Sequence, residues 1–274
     1  MNVAQALAAA AALGVARLDA QLLLLHVLGR GPGERAWLLA HDADAVEPAD
    51  DYLALAARRA AGEPLAYLVG EKEFYGLPLA VDARVLVPRP ETEVLVDWAL
   101  EVLGTAGANA TFLDLGTGSG AIALAVKHHS PQARVEASDE SEAALEVARA
   151  NAQRLGLDVR FTRASWLAGN TLRYHVIASN PPYVREGDEH LPALEHEPIG
   201  ALAAGPDGLA DIREIVAQAG THLLPGGWLL LEHGWDQAGA VQALLRQAGF
   251  AAVQTRRDLA GIDRCTGGQW PELG

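Results

Sequence analysis

Hydrophobic and polar positions fall into two regimes along the chain. Up to about residue 70 the apolar residues recur three and four apart, which predicts helices over 1–13, 19–28, 34–39 and 49–61. The second of these carries Leu22, Leu23, Leu25, His26 and Leu28, a stripe wide enough that it must pack on neighbouring helices. Gly29, Gly31, Pro32 and Gly33 interrupt the pattern, and Pro48 stands where a helix can begin. No strand pattern intervenes, so residues 1–70 read as a small helical bundle. From residue 71 the short runs 73–76, 77–81 and 84–87 alternate with Gly and Pro, and 71–90 reads as a β-hairpin linker. Pro90, Glu91 and Glu93 then suit the start of a helix over 94–103, because carboxylates there face the positive end of the helix dipole.

Beyond residue 110 strands and helices alternate. Strands are expected over 111–115, 134–138, 159–162, 174–179 and 228–232, and helices over 121–129, 142–155, 212–223 and 237–248. Segments 251–256 and 264–270 would close the sheet as an antiparallel pair. Repeated βα units mean a mostly parallel sheet with helices on both faces. Ligands of such sheets bind at the carboxyl ends of the strands. That places the glycine loop 116–120, Asp139 and the segment starting at Asn180 on one rim.

Composition narrows the class. The 274 residues are half hydrophobic, which excludes wholesale disorder, and the 5% aromatic content favours a helix-rich core. The formal charge of −14 argues against a protein that lives on nucleic-acid phosphates. Cys265 is the lone cysteine, so it forms no internal disulfide and reads as a packing residue. His26 and His41 have no partner at metal spacing and read as core or cap histidines, and no metal site is expected. The N-terminal stretch lacks a basic region, and no apolar run reaches the ~18 residues of a membrane span. The chain is expected to be cytoplasmic and away from membranes.

Three features carry chemistry. Asp114-Leu115-Gly116-Thr117-Gly118-Ser119-Gly120 follows a strand and opens a helix, with glycines that let a ligand approach the backbone. Its spacing is GxGxG, not the GxGxxG of the dinucleotide fingerprint. Asp139 ends the next strand, where a carboxylate can accept both hydroxyls of a ribose; it also suits the N-cap of the following helix. Asn180-Pro181-Pro182-Tyr183 follows the strand 174–179. Consecutive prolines remove two donors and leave rigid carbonyl acceptors, the Asn side-chain oxygen is a further acceptor, and Tyr183 offers a flat face. Such a site suits a planar amino group.

Together these motifs resemble S-adenosylmethionine-dependent methyltransferases that modify amino groups conjugated to a planar system. Gly70–Gly76, Val87–Glu93, Asp114–Gly120, Asn180–Tyr183 and Leu231–Gly234 resemble, more narrowly, the release-factor glutamine methyltransferases (the PrmC/HemK family). The resemblance covers essentially the whole chain. It implies an α/β fold with a seven-stranded Rossmann-like class I methyltransferase sheet and a small N-terminal helical domain. Residues 1–70 would recognise the partner, 71–90 would link, and 91–274 would form the S-adenosylmethionine-dependent domain. The implied reaction methylates the side-chain amide of Gln in the Gly-Gly-Gln motif of class-1 peptide-chain release factors, leaving S-adenosylhomocysteine. In the implied site Gly116, Thr117, Gly118, Ser119 and Gly120 wrap the methionine part of the donor. Asp139 holds the ribose, Trp166 lies against the adenine, and Asn180 adjoins the donor. Asn180, Pro181, Pro182 and Tyr183 hold the substrate amide, with Asn180, Pro181 and Tyr183 catalytic. Leu86 is at the substrate edge with Arg89, Glu91 and Glu93 nearby. The chain departs from the family pattern at Ser165, where Asp is usual, and at His196-Glu197-Pro198, where Phe-Glu-Pro is usual.

Rival readings are a methyltransferase acting on nucleic-acid amino groups, an NAD-dependent oxidoreductase and a non-catalytic adaptor. The first shares the Asn-Pro-Pro-Tyr motif, and the acidic balance tips the choice toward a protein amide, with a monomer and no direct nucleic-acid contact expected. Gly267-Gly268-Gln269 spells the substrate motif within the chain itself, which makes self-methylation conceivable, though the segment reads as the last strand.

Overall fold

A capping box starts the first helix: Asn2 Oδ1 accepts from the Gln5 amide at 2.8 Å, and Gln5 Oε1 accepts from the Asn2 amide at 3.0 Å. The computed structural model describes residues 1–189 and 191–271, so the final residues of the expected catalytic domain, 272–274, lie outside the described residues. The chain divides at Glu71 into two units. The first holds α1 (Val3–Ala12), α2 (Arg17–Val27), α3 (Arg35–Ala40), α4 (Ala49–Ala60) and α5 (Leu65–Val69). Leu23, Leu24 and Leu25 of α2 are buried with Leu38 and Tyr52, and the Tyr52 hydroxyl donates to the Ala20 carbonyl at 3.2 Å. His26 is exposed in the last turn of α2 and does not join the core. Helix α5 escapes the pattern because five residues between Pro64 and Gly70 are too few to show a helical period.

The second unit opens with a hairpin, β1 (Glu71–Phe74) and β2 (Leu77–Ala80), turned by Tyr75 and Gly76 at φ of 52° and 81°. The run 84–87 forms no strand, because Asp82 accepts from the Arg84 amide at 3.0 Å and turns the chain there. Next come a 3-10 turn at Pro90–Thr92, α6 (Glu93–Ala106), β3 (Thr111–Leu115), α7 (Ala121–His129), β4 (Arg134–Asp139), α8 (Glu142–Leu155), β5 (Arg160–Arg163) and β6 (Tyr174–Ser179). They are followed by α9 (Ala210–Ala219), β7 (Leu223–Glu232), α10 (Ala238–Gln247), β8 (Ala251–Arg257) and β9 (Asp263–Gln269). Among the described residues seven strands pair in the order β5-β4-β3-β6-β7-β9-β8, and β9 runs against the other six. Alternate residues feed two cores. Phe112 and Leu230 join Leu95 and Trp98 of α6 on one face, while Leu113 and Leu229 join Ile212 and Val241 on the other.

Two differences from expectation have local causes. Helix α9 stops at Ala219 instead of running to 223: the chain tightens into a 3-10 turn at Gly220–His222 and enters the next strand at Leu223. Strand β7 starts early, at Leu223, but Tyr174 pairs with Leu223 and Val176 with Trp228, so 224–227 bulge out around Gly226 at φ 79°.

Gly267-Gly268-Gln269 ends β9, the last strand in chain order, as expected, and one that lies inside the sheet between β7 and β8. A Cβ on Gly267 would meet Leu230 Cδ2 at 2.7 Å, and one on Gly268 would meet Phe250 Cβ at 2.9 Å. The Gln269 amide donates to the Gly226 carbonyl at 2.9 Å. These glycines serve sheet packing, and the glutamine serves the bulge. Cys265 is buried in the same strand, where burial pushes its thiol up.

Candidate active site

The carboxyl ends of β3, β4 and β6 meet at one rim because these strands are parallel neighbours in register, Leu115 opposite both Ser138 and Ser179. After β3 the chain must leave the sheet and enter α7 within a few residues. Gly116, Gly118 and Gly120 do this at φ of 69°, 54° and 86°, a conformation costly for any residue with a Cβ. The Gly116 and Thr117 amides both donate to the Ser138 carbonyl at 2.9 Å, which ties the loop to β4. Asp114 anchors it from below: Oδ2 accepts from the Thr117 hydroxyl at 2.6 Å and from the Ala123 amide at 3.3 Å. Burial pushes the Asp114 carboxyl up to about 7, against the Thr117 and Ala123 hydrogen bonds that favour its charge.

Asp139 faces the same loop. Its Oδ2 accepts from the Gly118 amide and its Oδ1 from the Ser141 amide, each at 2.9 Å. Burial raises its pKa while these amides oppose the rise. The cap of α8 is Ser141, whose hydroxyl accepts from the Ala144 amide at 3.2 Å, so Asp139 is left to brace the loop and face the rim.

A cavity of about 350 Å³ opens here, within the range of small-molecule sites. Of the expected site residues, Leu86, Gly116, Gly118, Asp139, Trp166, Asn180 and Pro182 line it. Thr117, Ser119, Gly120, Pro181 and Tyr183 do not. Thr117 and Ser119 are buried, and Gly120 allows close packing of α7 on α8, since a Cβ there would meet Leu124 at 3.0 Å and Ala148 at 3.3 Å. Trp166, at φ 47°, lays its ring across Gly116, where a Cβ would meet it at 3.3 Å. Ser165, the departure from the family pattern, lies on the cavity wall beside it.

Asn180 follows β6 directly. Its Nδ2 donates to the Thr92 hydroxyl at 3.3 Å. Among the described residues neither its Oδ1 nor the carbonyl of the adjoining Pro181 accepts a hydrogen bond. The Tyr183 hydroxyl donates to Glu232 Oε1 at 3.2 Å, and its carbonyl accepts from Gln237 Nε2 at 3.1 Å.

Several positions around the cavity carried no sequence signal of their own, although Glu197, Arg89 and Glu93 stand in segments that the family resemblance marks. Glu140, Asp211 and Glu214 line the cavity with Asp139, a four-carboxylate wall. Among the described residues the one basic lining side chain, Arg84, is bound to Asp82 at 2.7 Å and Glu146 at 3.0 Å. The surroundings therefore favour a cationic ligand. Asn151 of α8 is fully buried and joins hairpin to loop, donating to the Ala80 and Ser119 carbonyls at 3.0 and 2.9 Å. Glu197 pairs with Arg89 and accepts from the Val87 amide at 3.0 Å, holding the segment next to Leu86. This places Arg89; Glu93 in turn accepts from the Tyr75 amide at 3.1 Å. The Asn151, Glu197 and Glu93 contacts follow no spacing rule, because each joins segments far apart in the chain.

A seven-stranded sheet of this order with a glycine loop, a strand-end acid and an Asn-Pro-Pro-Tyr rim defines a class I methyltransferase, an enzyme that takes its methyl group from S-adenosylmethionine. Residues 92–200 match the model of the methyltransferase small domain, and residues 2–70 match that of the PrmC N-terminal domain. The release factor glutamine methyltransferase of Bordetella pertussis is 54% identical, over 93% of this chain and 95% of its own. That of Burkholderia pseudomallei is 50% identical, over 93% and 92%. The chain belongs to the release factor glutamine methyltransferase family. The crystal structure of a methyltransferase from Pyrococcus furiosus shares the fold, with a TM-score of 0.53 and 20% identity over 72% of this chain and 90% of that one. Among the described residues no helix is long and apolar enough to cross a membrane.

Proposed function

We propose that this enzyme methylates the side-chain amide nitrogen of the Gln in the Gly-Gly-Gln motif of class-1 peptide-chain release factors. The observation that carries the site assignment is the pair of free acceptors, Asn180 Oδ1 and the Pro181 carbonyl, beside a cavity walled by carboxylates. When bound, S-adenosylmethionine supplies a methyl group on a sulfonium, a cation suited to that wall, and leaves S-adenosylhomocysteine. Asp139 would hold the ribose hydroxyls, Gly116 and Gly118 would admit the methionine part, and Trp166 would lie against the adenine.

An amide nitrogen is a poor nucleophile because its lone pair is delocalised into the carbonyl. Asn180 Oδ1 and the Pro181 carbonyl would each accept one N–H bond, which aims the lone pair at the methyl group. The same acceptors stabilise positive charge as it develops on nitrogen. Holding the reacting atoms ~3–3.5 Å apart then does most of the remaining work. The methylated amide is acidic enough to release its proton without a strong base, and a sulfonium leaves without a metal. Residues 1–70 would recognise the release factor, 71–90 would link, and the donor domain would begin at 91. The enzyme would act in the cytoplasm as a monomer, without direct contact to nucleic acid or membrane.

The test is transfer of labelled methyl to purified release factor, with DNA as the competing substrate. Asn180→Ala should abolish transfer with donor affinity within a few-fold. Asp139→Ala should weaken donor binding first, as read by calorimetry. Turnover near normal in Asn180→Ala, or methyl transfer to DNA alone, would overturn the proposal.

A further inference from the structure

Five large apolar side chains stand exposed among the described residues of the second unit: Leu172, Ile199, Trp235, Leu259 and Ile262. Scattered singly they would need no explanation, but four of them lie around one end of the sheet. Leu172 precedes β6 and belongs to the far end. Trp235 follows β7, the neighbour of β6, at whose carboxyl end Asn180-Pro181-Pro182-Tyr183 begins. Leu259 and Ile262 lie in the turn between β8 and β9. Because β9 runs against both β7 and β8, that turn opens at the carboxyl end of β7 as well. Ile199 stands between Pro198 and Gly200, both on the cavity wall.

Trp235 is 73% exposed, yet its loop is firmly held. The His233 amide donates to the Arg264 carbonyl at 3.0 Å, and the Gly234 amide donates to Gln237 Oε1 at 2.8 Å. The Gln237 amide returns a bond to the Gly234 carbonyl at 3.0 Å, which closes the loop on itself. The same Gln237 side chain donates to the Tyr183 carbonyl at 3.1 Å, and Arg185 pairs with Asp236 at 2.5 Å. Residues beside Trp235 are thus tied to the segment that leaves the acceptor motif. An aromatic ring presented this rigidly loses little freedom when it is covered, which is how interface anchors gain affinity.

The charges at this end select the kind of partner. Arg185 is matched by Asp236, Arg257 by Asp263 at 2.8 Å and Arg264 by Asp258 at 3.3 Å. A phosphate backbone would find each of these three cations already paired. An apolar centre among paired charges is instead the make-up of a protein–protein contact. We propose that Trp235, with Leu259 and Ile262 farther along the same rim, is the anchor of a docking surface for the release factor, which lays an apolar patch on the ring while its glutamine enters at Asn180. This surface lies in the catalytic unit and adds to any recognition by residues 1–70. The inference rests on the proposed function and assigns the surface through which the catalytic unit takes hold of its substrate.

The experiment measures kcat and KM for purified release factor at saturating donor, with donor affinity by calorimetry, sedimentation and a thermal melt. The proteins are wild type, Trp235→Ala, Trp235→Phe, the double variant Leu259→Ser with Ile262→Ser, and Leu172→Ser. Trp235→Ala should raise KM about 30-fold, the size of an interface anchor, with kcat and donor affinity within about threefold of wild type. Trp235→Phe should recover most of the loss, and the double variant should raise KM about threefold to tenfold. Leu172→Ser should behave as wild type. A KM for Trp235→Ala within about threefold of wild type, a loss carried by kcat or by donor affinity, or Trp235→Phe as weak as Trp235→Ala would overturn the inference. A Trp235→Ala melt lowered by more than about 5 °C would give the side chain a structural role and overturn it too. So would a wild type that sediments as a dimer beside a monomeric Trp235→Ala, since the surface would then belong to a second copy of the chain. A wild type that transfers no methyl to release factor removes the proposed function beneath, whereas an active wild type with an unmoved KM in Trp235→Ala removes this inference alone.

Discussion

Replacing Gly208 by Ala probes how tightly the backbone of residues 180–183 is held for transfer. Gly208 has φ of 71°, and an ideal Cβ would lie 2.3 Å from the Tyr183 carbonyl oxygen and 2.8 Å from Gln237 Nε2. Gln237 Nε2 donates to that same carbonyl at 3.1 Å, so the new methyl group pushes on both partners of one hydrogen bond. The gap to the carbonyl must open to at least 3.0 Å, and the obstacle is backbone, which yields poorly. Left-handed backbone at alanine adds about 1–2 kcal/mol. With Pro181 and Pro182 fixed in φ, the shift is passed along to Asn180 instead of being absorbed between them. Misplacing a reacting group by ~1 Å costs on the order of 10²-fold in rate. We expect kcat about 10²-fold lower and a stability loss of about 2 kcal/mol, roughly 4–8 °C in Tm. Single-turnover transfer to purified release factor reads the first, and a thermal melt the second. Donor affinity should stay within threefold, because Gly208 is not on the cavity wall. A folded Gly208→Ala enzyme with normal kcat would refute the reasoning.

Gly267→Ala tests the packing account of β9. Its Cβ would meet Leu230 Cδ2 at 2.7 Å and Trp98 at 2.8 Å, so the urea midpoint should fall by an amount equal to about 1–3 kcal/mol, and an unchanged midpoint would contradict it. Asp114 predicts a pH dependence of stability. Its folded pKa of about 7 lies above the ordinary 3.8, so its contribution is full below the ordinary value and is lost as pH rises through 7. Asp114→Asn keeps an acceptor for Thr117 and Ala123, and its urea midpoint should fall less between pH 5 and pH 8 than that of wild type. Equal falls would sink the assignment.

The sequence was most legible where local rules act. The GxGxG turn, the strand ends at Leu115 and Ser179 and the alternation of apolar residues all depend on neighbours within a few positions. The seven strands and the rim they form follow from that alternation. The hairpin at 71–80 was legible too, though 84–87 was not, because Asp82 overrode its pattern by turning the chain at Arg84. The double proline of Asn180-Pro181-Pro182-Tyr183 pointed to unused carbonyl acceptors from φ and missing donors alone, and among the described residues the Pro181 carbonyl accepts no hydrogen bond.

What long-range contacts decide could not be read ahead. Glu197 reaches across to Val87 and Arg89, Asn151 to Ala80 and Ser119, and Glu232 to Tyr183. Glu197 and Glu232 fall in segments that carry the family resemblance, but in sequence none of the three names its partners. The acidity of the cavity wall likewise depends on where α9 places Asp211 and Glu214, which no local pattern states. By itself the sequence determined the motif set, the sheet-forming alternation and the kind of group the rim can accept, since these follow from backbone sterics and hydrogen-bonding inventory. Only the tertiary structure decided which motif residues meet the cavity and which brace it from behind. Burial and desolvation, which raise the carboxyls of Asp114 and Glu232 toward neutrality, exist only once distant segments have closed over them.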